Sequence, residues 1–208
     1  MTIVWAVVGI VAAYLSGSVP WGVVLGRLIK GIDIRTIGSG NTGATNAMRA
    51  LGWRIALGVA VLDLLKGFVP VVIARWLDAP AWAVAAIAVA ATAGHCWSPW
   101  MKFHGGKGMA TGGGAAVGLL PWLLTMLPLM IIVVLITRYV SLASLIATIT
   151  GTTIAVIFAV TTDFSWSWAI AVGVISSIII GKHYTNIARL LHGEERRFGV
   201  SETPSAGT

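Results

Sequence analysis

Six apolar stretches separated by short polar segments dominate this chain of 208 residues, and they restrict it to folds that a lipid bilayer can accept. About 20 consecutive apolar residues allow a helix to cross a bilayer. Only 10% of the residues are charged, well below the proportion typical of soluble domains. The stretches span residues 3–25, 55–77, 81–100, 111–136, 140–160 and 166–182. The sequence therefore predicts an all-α integral membrane protein, folded as a single helical bundle without a separate soluble domain.

The positions of Lys and Arg predict how the bundle is oriented, because cytoplasmic loops are enriched in these residues. The polar loop 26–54 is strongly basic, with Asp33 as its only acidic residue; its cations are Arg27, Lys30, Arg35, Arg49 and Arg54. This loop is therefore predicted to be cytoplasmic, which places the N-terminus outside. Arg138 and the basic tail from Lys182 onward should also be cytoplasmic. We assign the net charge of +7 to this orientation and expect no nucleic-acid partner.

An outside N-terminus and a cytoplasmic C-terminus require an odd number of crossings, so six plain spans contradict the charge pattern. The stretch 111–136 can supply one more crossing, because it contains Gly112-Gly113-Gly114, Pro121 and Pro128. Proline lacks a backbone donor and breaks helices. The sequence therefore predicts seven transmembrane helices, the fourth and fifth short and separated near Pro121. Residues 1–198 form the membrane domain in this scheme, and residues 199–208 form a cytoplasmic tail.

The first polar constellation lies in the 26–54 loop, where three glycines alternate with Ser, Thr and Asn ahead of Arg49. Converging backbone N–H groups bind anions, and an arginine fork suits phosphate. The candidate ligands are Ser39, Gly40, Asn41, Thr42, Thr45, Asn46 and Arg49. The pattern predicts an oxyanion site, and the alternative is an ordinary flexible loop.

A second glycine-rich segment comes directly before the fourth predicted helix, where Gly105, Gly106 and Gly108 surround Lys107. Glycines at a helix entrance expose N–H groups to an anion at the positive end of the helix dipole. The spacing is not that of a P-loop, so nucleotide hydrolysis is not predicted. The alternative is a basic loop at the membrane surface.

Polar residues also recur at helical spacing near the predicted cytoplasmic ends of the spans. Asp63 and Lys66 are three residues apart and can pair on one helix face; other candidates are Ser141, Ser144, His183, Asn186, Arg189 and the isolated His95. Ionisable groups inside a bundle usually mark a function or a buried pair. A structural ion pair, helix-packing serines and a core histidine remain the alternatives.

Several chemistries are not indicated by the sequence. Cys96 is alone, so no intramolecular disulfide can form, and no cluster has metal-ligand spacing. Neither a GxSxG elbow nor a His-x4-Asp pair occurs. We expect no metal and no cofactor. The residues by themselves predict a membrane-embedded phosphate site that faces the cytoplasm. A transporter of a phosphorylated molecule is the rival, but transporters often contain internal repeats, and none is evident here.

Taken together, the motifs resemble the bacterial acyl-phosphate:glycerol-3-phosphate acyltransferase family, known as PlsY. The likeness covers about residues 1–198 in order, and the segment 195–198 departs from the Pro- and Lys-containing ending of that family, so no site role is predicted for it. The matching motifs are residues 17–22, 31–35, 38–49, 63–67, 94–95, 103–108, 138–144 and 183–190, with Gly193-Glu194.

The resemblance implies an enzyme of phospholipid synthesis in the bacterial plasma membrane, with its active site on the cytoplasmic side. A long-chain acyl phosphate would donate its acyl group to the sn-1 hydroxyl of glycerol 3-phosphate, and lysophosphatidic acid and phosphate would be released. Neither acyl-CoA nor acyl carrier protein would be the direct donor. The expected partners are these two substrates and membrane lipids, and the sequence fixes neither the oligomeric state nor the preferred chain length.

The resemblance also implies a role for each candidate residue. The expected catalytic residues are Ser39, Arg49, Lys107, His183 and Asn186. The expected substrate-binding residues are Gly40, Asn41, Thr42, Thr45, Asn46, Lys66, His95, Gly105, Gly106, Ser141 and Ser144. The 39–46 loop would hold phosphate and the carbonyl oxygen, while Arg49 and Lys107 would bind glycerol phosphate. His183 and Asn186 would orient the attacking hydroxyl, and the base is either His183 or the departing phosphate.

Overall fold

The computed structural model describes residues 2–199, and within that range the secondary structure is helical without a strand. The α-helices in chain order are α1 (Ile3–Gly17), α2 (Trp21–Lys30), α3 (Ala44–Leu51), α4 (Trp53–Trp76), α5 (Ala81–Cys96), α6 (Met109–Leu119), α7 (Met126–Thr137), α8 (Val140–Thr161), α9 (Trp166–Lys182) and α10 (Tyr184–Leu191). Short 3-10 turns lie at Ile34–Thr36, Pro99–Met101 and Pro121–Thr125. Residues 200–208, most of the predicted tail, lie outside the described residues.

Within residues 2–199, three segments are individually long and apolar enough to cross a bilayer. They are α4, α8 and the segment Ala81–Met101, which continues α5 through its 3-10 turn. The pair α1 and α2 is bent by 42°, and the pair α9 and α10 by 60°. Counting each bent pair as one span gives up to five crossings by length and composition.

The first apolar stretch, predicted to cross the membrane over residues 3–25, is not one continuous helix. Helix α1 ends at Gly17, and α2 starts after Pro20, which has no N–H to continue the helical hydrogen bonds. Leu28 and Ile29 of α2 are exposed. The expected 26–54 loop is also partly helical, because it contains the end of α2 and all of α3. Apolar residues spaced along α3 give this helix a buried face. The sequence interpretation treated the segment as a glycine-rich loop and did not predict this helix.

The predicted division of the 111–136 stretch is confirmed. Helix α6 ends at Leu119, Leu120 is extended, and α7 begins only after the 3-10 turn at Pro121. At about 1.5 Å per residue each helix is roughly 17–18 Å long, against about 30 Å for the hydrocarbon core. The two helices are nevertheless packed differently. Most of α6 is buried, whereas none of the residues of α7 is.

Glycines allow two helix pairs to approach closely. A Cβ atom at Gly67 of α4 would overlap the carbonyl of Thr111, and one at Gly114 of α6 would overlap that of Leu64. Gly17 and Gly94 have the same relationship across α1 and α5. Small residues let membrane helices pack backbone against backbone. This packing fixes the N-terminal end of α6 against α4, and that end carries the Lys107 loop.

Candidate functional site

A cavity of about 400 Å³ opens between α3, α4, α6, α7, α8 and α10, and it is polar at one end and apolar at the other. Its polar end is lined by Ser39, Asn41, Thr45, Asn46, Arg49, Asp63, His95, Lys107, Ser141, Ser144, His183, Asn186, Arg189, Glu195 and Arg196. Its apolar end is lined by Gly113, Val117, Leu123, Leu124, Met126, Leu127 and Met130. The fold thus joins the two glycine-rich segments and the α9–α10 junction around one space.

Asn46 holds the first glycine-rich loop in place. Its side-chain oxygen accepts a hydrogen bond from the Ser39 N–H at 2.9 Å, and its amide nitrogen donates to the Ile34 carbonyl at 2.7 Å. Asn46 is only 1% exposed. Gly38 and Gly40 have positive φ angles, which turn the chain around this amide. Asn46 therefore supports the loop that presents Ser39 to the cavity.

Lys107 reaches into the cavity from the loop before α6. Its ammonium donates to the side-chain oxygen of Asn186 at 2.5 Å. Burial lowers the pKa of Lys107 from 10.5 to about 8; Glu195 opposes this shift, and the nearby arginines reinforce it. A buried ammonium surrounded by other cations is stabilised when an anion arrives.

Gly105 and Gly106 do not present their N–H groups to the cavity as expected. The Gly105 N–H donates to the Cys96 carbonyl, and the Gly106 N–H donates to the His95 carbonyl. A Cβ atom at either position would overlap His95. The two glycines therefore let the loop close against the end of α5, and this contact positions Lys107.

Glu195 connects α8 to α10 through hydrogen bonds, although its segment was predicted to have no site role. The structure places Glu195 and Arg196 of that segment in the lining of the cavity. The Glu195 carboxylate accepts hydrogen bonds from Ser141 at 2.9 Å, Asn186 at 2.6 Å and Arg189 at 2.8 Å. Burial raises the pKa of Glu195, but these three hydrogen bonds outweigh it and leave the pKa below the ordinary value. Glu195 therefore stays ionised and orients Asn186, which in turn contacts Lys107.

His183 lies at the junction of α9 and α10 and is 3% exposed. Its Nδ1 atom is 2.8 Å from the Ile179 carbonyl. Because a carbonyl oxygen only accepts, Nδ1 carries the proton in the neutral ring. Nε2 is then the acceptor nitrogen, as a base acting on a hydroxyl requires.

Asp63 and Lys66 form the predicted pair on one face of α4. Their charged atoms are 2.8 Å apart, and the Lys66 ammonium also donates to the Val19 carbonyl at 2.7 Å. Asp63 lines the cavity, but Lys66 does not. The contacts of Lys66 agree with the alternative of a structural ion pair, and its expected substrate-binding role stays a prediction. His95 lines the cavity beside this pair, with Nδ1 3.8 Å from Asp63.

The structure brings together all five residues expected to be catalytic, and six of the expected binding residues line the same cavity. The expected residues outside the cavity lining are Gly40, Thr42, Lys66, Gly105 and Gly106. Thr42 is buried, and Gly40 shapes the turn of its loop. Arg196 and the apolar residues of α6 and α7 were not anticipated. In the sequence, the three-residue spacing of Asn186 and Arg189 indicated that α10 contributes to the site, and no motif indicated Arg196.

The charges at the polar end favour an anion. Four cationic side chains line it, namely Arg49, Lys107, Arg189 and Arg196, against the two carboxylates of Asp63 and Glu195. Asp63 is paired with Lys66, and Glu195 with Arg189. Among residues 2–199, no group of three His, Cys, Asp or Glu residues could hold a metal ion. The site can therefore bind phosphate groups through cations and polar side chains.

A second cavity, of about 360 Å³, lies between α2 and the turn at Trp100. Arg27 and Arg35 line it, and both donate to the carboxylate of Asp33. The Arg35 hydrogen bonds lower the pKa of Asp33 far below its ordinary value. This cavity contains none of the residues predicted to be catalytic.

The fold is that of a helical membrane protein, and its cavity is lined by both cationic and apolar side chains. The family model described as Glycerol-3-phosphate acyltransferase matches residues 7–193. The curated glycerol-3-phosphate acyltransferase of Rubrobacter xylanophilus is 39% identical over 191 residues, covering 91% of this chain and 94% of that protein. The one from Thermus thermophilus is 41% identical over 196 residues, covering 93% and 96%.

Solved structures agree with the sequence relatives. The crystal structure of PlsY (YgiH), an integral membrane glycerol 3-phosphate acyltransferase, in its glycerol 3-phosphate form superimposes with a TM-score of 0.86 at 39% identity. That match covers 94% of this chain and 96% of the other. The lysophosphatidic acid form gives a TM-score of 0.84 at 38% identity, with the same coverage. The chain therefore belongs to the PlsY family of glycerol-3-phosphate acyltransferases, and it is a multi-pass integral membrane protein.

Proposed function

We propose that this acyltransferase uses a long-chain acyl phosphate as donor and the sn-1 hydroxyl of glycerol 3-phosphate as acceptor. The observation that carries the proposal is the lining of the cavity, which combines four cationic side chains with apolar residues from α6, the Pro121–Thr125 turn and α7. An acyl phosphate has the same division into an anionic head and an apolar chain. The related PlsY structures with glycerol 3-phosphate and with lysophosphatidic acid support the acceptor and the product.

The polar end has enough ligands for two phosphate groups. Ser39, Asn41 and Thr45 face the cavity from the first loop and α3, and we assign them to the acyl phosphate and its carbonyl oxygen. Arg49 and Lys107 bind the phosphate of glycerol 3-phosphate. Ser141 and Ser144 line the cavity nearby. His183 and Asn186 orient the attacking hydroxyl, because both lie at the α9–α10 junction that faces these cations.

The reaction then needs no covalent enzyme intermediate, because an acyl phosphate is already an activated anhydride. The sn-1 oxygen attacks the carbonyl carbon, and the bond between that carbon and the phosphate oxygen breaks. Phosphate leaves, and the hydroxyl proton passes to His183 Nε2 or to a phosphate oxygen. The protein contributes positioning and charge neutralisation, which together can account for a large part of a rate enhancement.

The same proposal includes the membrane topology of the chain, with seven crossings. Five spans, with each bent pair counted once, together with short α6 and α7 amount to seven crossings. The basic loop that contains α3 then faces the cytoplasm, as do the active site and the C-terminus, and the N-terminus lies outside. We place the protein in the bacterial plasma membrane, with residues 1–198 as its one domain and residues 199–208 as a tail.

The test is release of phosphate and formation of lysophosphatidic acid by purified protein given palmitoyl phosphate, with and without glycerol 3-phosphate. We expect release only when both substrates are present, and we expect Lys107→Ala to abolish it. Lys102→Ala is the matched control, because Lys102 is exposed and does not line the cavity. Turnover with acyl-CoA but not with acyl phosphate would overturn the proposed donor. Esterification at the sn-2 hydroxyl would overturn the regiochemistry.

A further inference from the structure

Helix α6 contains three consecutive glycines, and only two of them are explained by packing. A Cβ atom at Gly112 would come within 2.8 Å of Ile175 and 2.9 Å of Ile179. One at Gly114 would overlap the backbone of Leu64. A Cβ atom at Gly113, in contrast, would have no atom within 4 Å. Because glycine destabilises a helix interior by about 1 kcal/mol relative to alanine, the missing side chain at Gly113 calls for another reason.

Gly113 lies on the face of α6 that forms one wall of the cavity. That face shows Lys107 and Met109 at the entrance to the helix, then Gly113, then Val117 one turn further along. Gly113 and Val117 are half-buried, whereas the other residues from Thr111 to Leu119 are buried. Leu127 and Met130 of α7 also line the cavity. Gly113 is thus a position without a side chain on the face of α6 that lines the cavity, between Lys107 at one end and Val117 at the other.

From these observations we propose that Gly113 is a specificity-determining residue that lets a long acyl chain pass along α6. This inference rests on the proposed function, since it assumes that the apolar end of the cavity holds the acyl chain of the donor. A Cβ atom at Gly113 would have no atom within 4 Å, so a side chain there would extend into the cavity that Gly113 lines. Chains that end before this position would be unaffected, and chains that extend past it would be excluded.

The test compares Gly113→Leu with the wild-type enzyme on decanoyl, myristoyl, palmitoyl and stearoyl phosphate at saturating glycerol 3-phosphate. Hydrophobic pockets discriminate by roughly 10- to 200-fold per methylene when fit is lost. We expect kcat/KM for palmitoyl and stearoyl phosphate to fall at least about 10-fold relative to decanoyl phosphate. Gly113→Ala should shift the profile in the same direction by less, and KM for glycerol 3-phosphate should not change.

Gly173→Leu is the matched control. Gly173 lies within α9, a Cβ atom there would also have no atom within 4 Å, and it does not line the cavity. The Gly173→Leu variant should have the same acyl-chain-length profile as the wild-type enzyme. An unchanged profile in Gly113→Leu, or an equal loss with every chain length, would overturn the inference. A wild-type enzyme that uses no acyl phosphate at all would overturn the proposed function instead, so the two failures are distinguishable.

Discussion

The Lys107 ammonium and the Asn186 side-chain oxygen, 79 residues apart in the sequence, lie 2.5 Å from each other. This contact joins the loop before α6 to α10, and Glu195 supports it by accepting a hydrogen bond from the other side of the same Asn186 amide. Asn186 thus uses its oxygen for the cation and its nitrogen for the carboxylate. A phosphate that binds Lys107 enters a site whose neighbouring side chains are already oriented.

The first prediction concerns pH. Burial lowers the pKa of Lys107 to about 8. Lys107 is therefore positively charged at pH values well below 8, and it loses this charge as the pH rises through its pKa. We expect kcat/KM for glycerol 3-phosphate to fall above about pH 8, because this ratio reports ionisations of the free enzyme. In Lys107→Arg the alkaline decline should disappear, since a guanidinium remains charged. The same decline in that variant would show that another group titrates.

The second prediction separates the two candidate bases. If His183 Nε2 takes the proton, His183→Asn should lower kcat by about 100-fold or more. A rise in KM for glycerol 3-phosphate with kcat preserved would instead assign His183 to orientation and the proton to a substrate phosphate. His192→Asn is the control, because the His192 Nδ1 atom also contacts the carbonyl four residues earlier but its side chain is exposed.

The third prediction concerns Glu195. Replacing it with Ala removes the common acceptor of Ser141, Asn186 and Arg189. Each buried donor left without a partner costs about 1–3 kcal/mol, so thermal stability and turnover should both decrease. The pKa of Glu195 is lower in the folded protein than in the unfolded chain. The ionised carboxylate therefore stabilises the folded protein fully at pH values above its unfolded-state pKa, and this stabilisation is lost as the pH falls through its folded-state pKa. Glu194→Ala, at an exposed neighbour, should behave like wild type.

The fourth prediction tests whether Lys66 is structural. Removing one partner of a buried ion pair costs about 3–5 kcal/mol, so Lys66→Met should lower the unfolding temperature clearly. The double variant Asp63→Asn, Lys66→Met should recover part of that loss, because no unpaired charge remains. Thermal unfolding in detergent, combined with KM measurements at low temperature, is the assay. A raised KM for either substrate with unchanged stability would restore the substrate-binding role predicted from the sequence.

The sequence alone determined the helical membrane class, most of the span boundaries and the family. Apolar runs of fixed length report directly on the bilayer, and they match α8 and α9 almost residue for residue. Pro121 correctly predicted the division between α6 and α7. The five residues expected to be catalytic belong to polar motifs that stand out against an apolar background, and the structure places all five in the lining of one cavity. Their catalytic roles stay predictions implied by the family resemblance.

Only the tertiary structure decided which polar groups line the cavity and which contact the rest of the fold. Gly105 and Gly106 belong to the same motif as Lys107, and Lys66 belongs to a motif as clear as that one. The N–H groups of the two glycines and the ammonium of Lys66 nevertheless donate to backbone carbonyls of other segments. Glu195 lies in a segment without a recognisable motif. Two hydrogen bonds to the nearby α10 and one to Ser141, 54 residues away in the sequence, bring it to the cavity. The physical reason is that spacing in a sequence fixes which residues share a helix face, whereas helix packing fixes what that face meets.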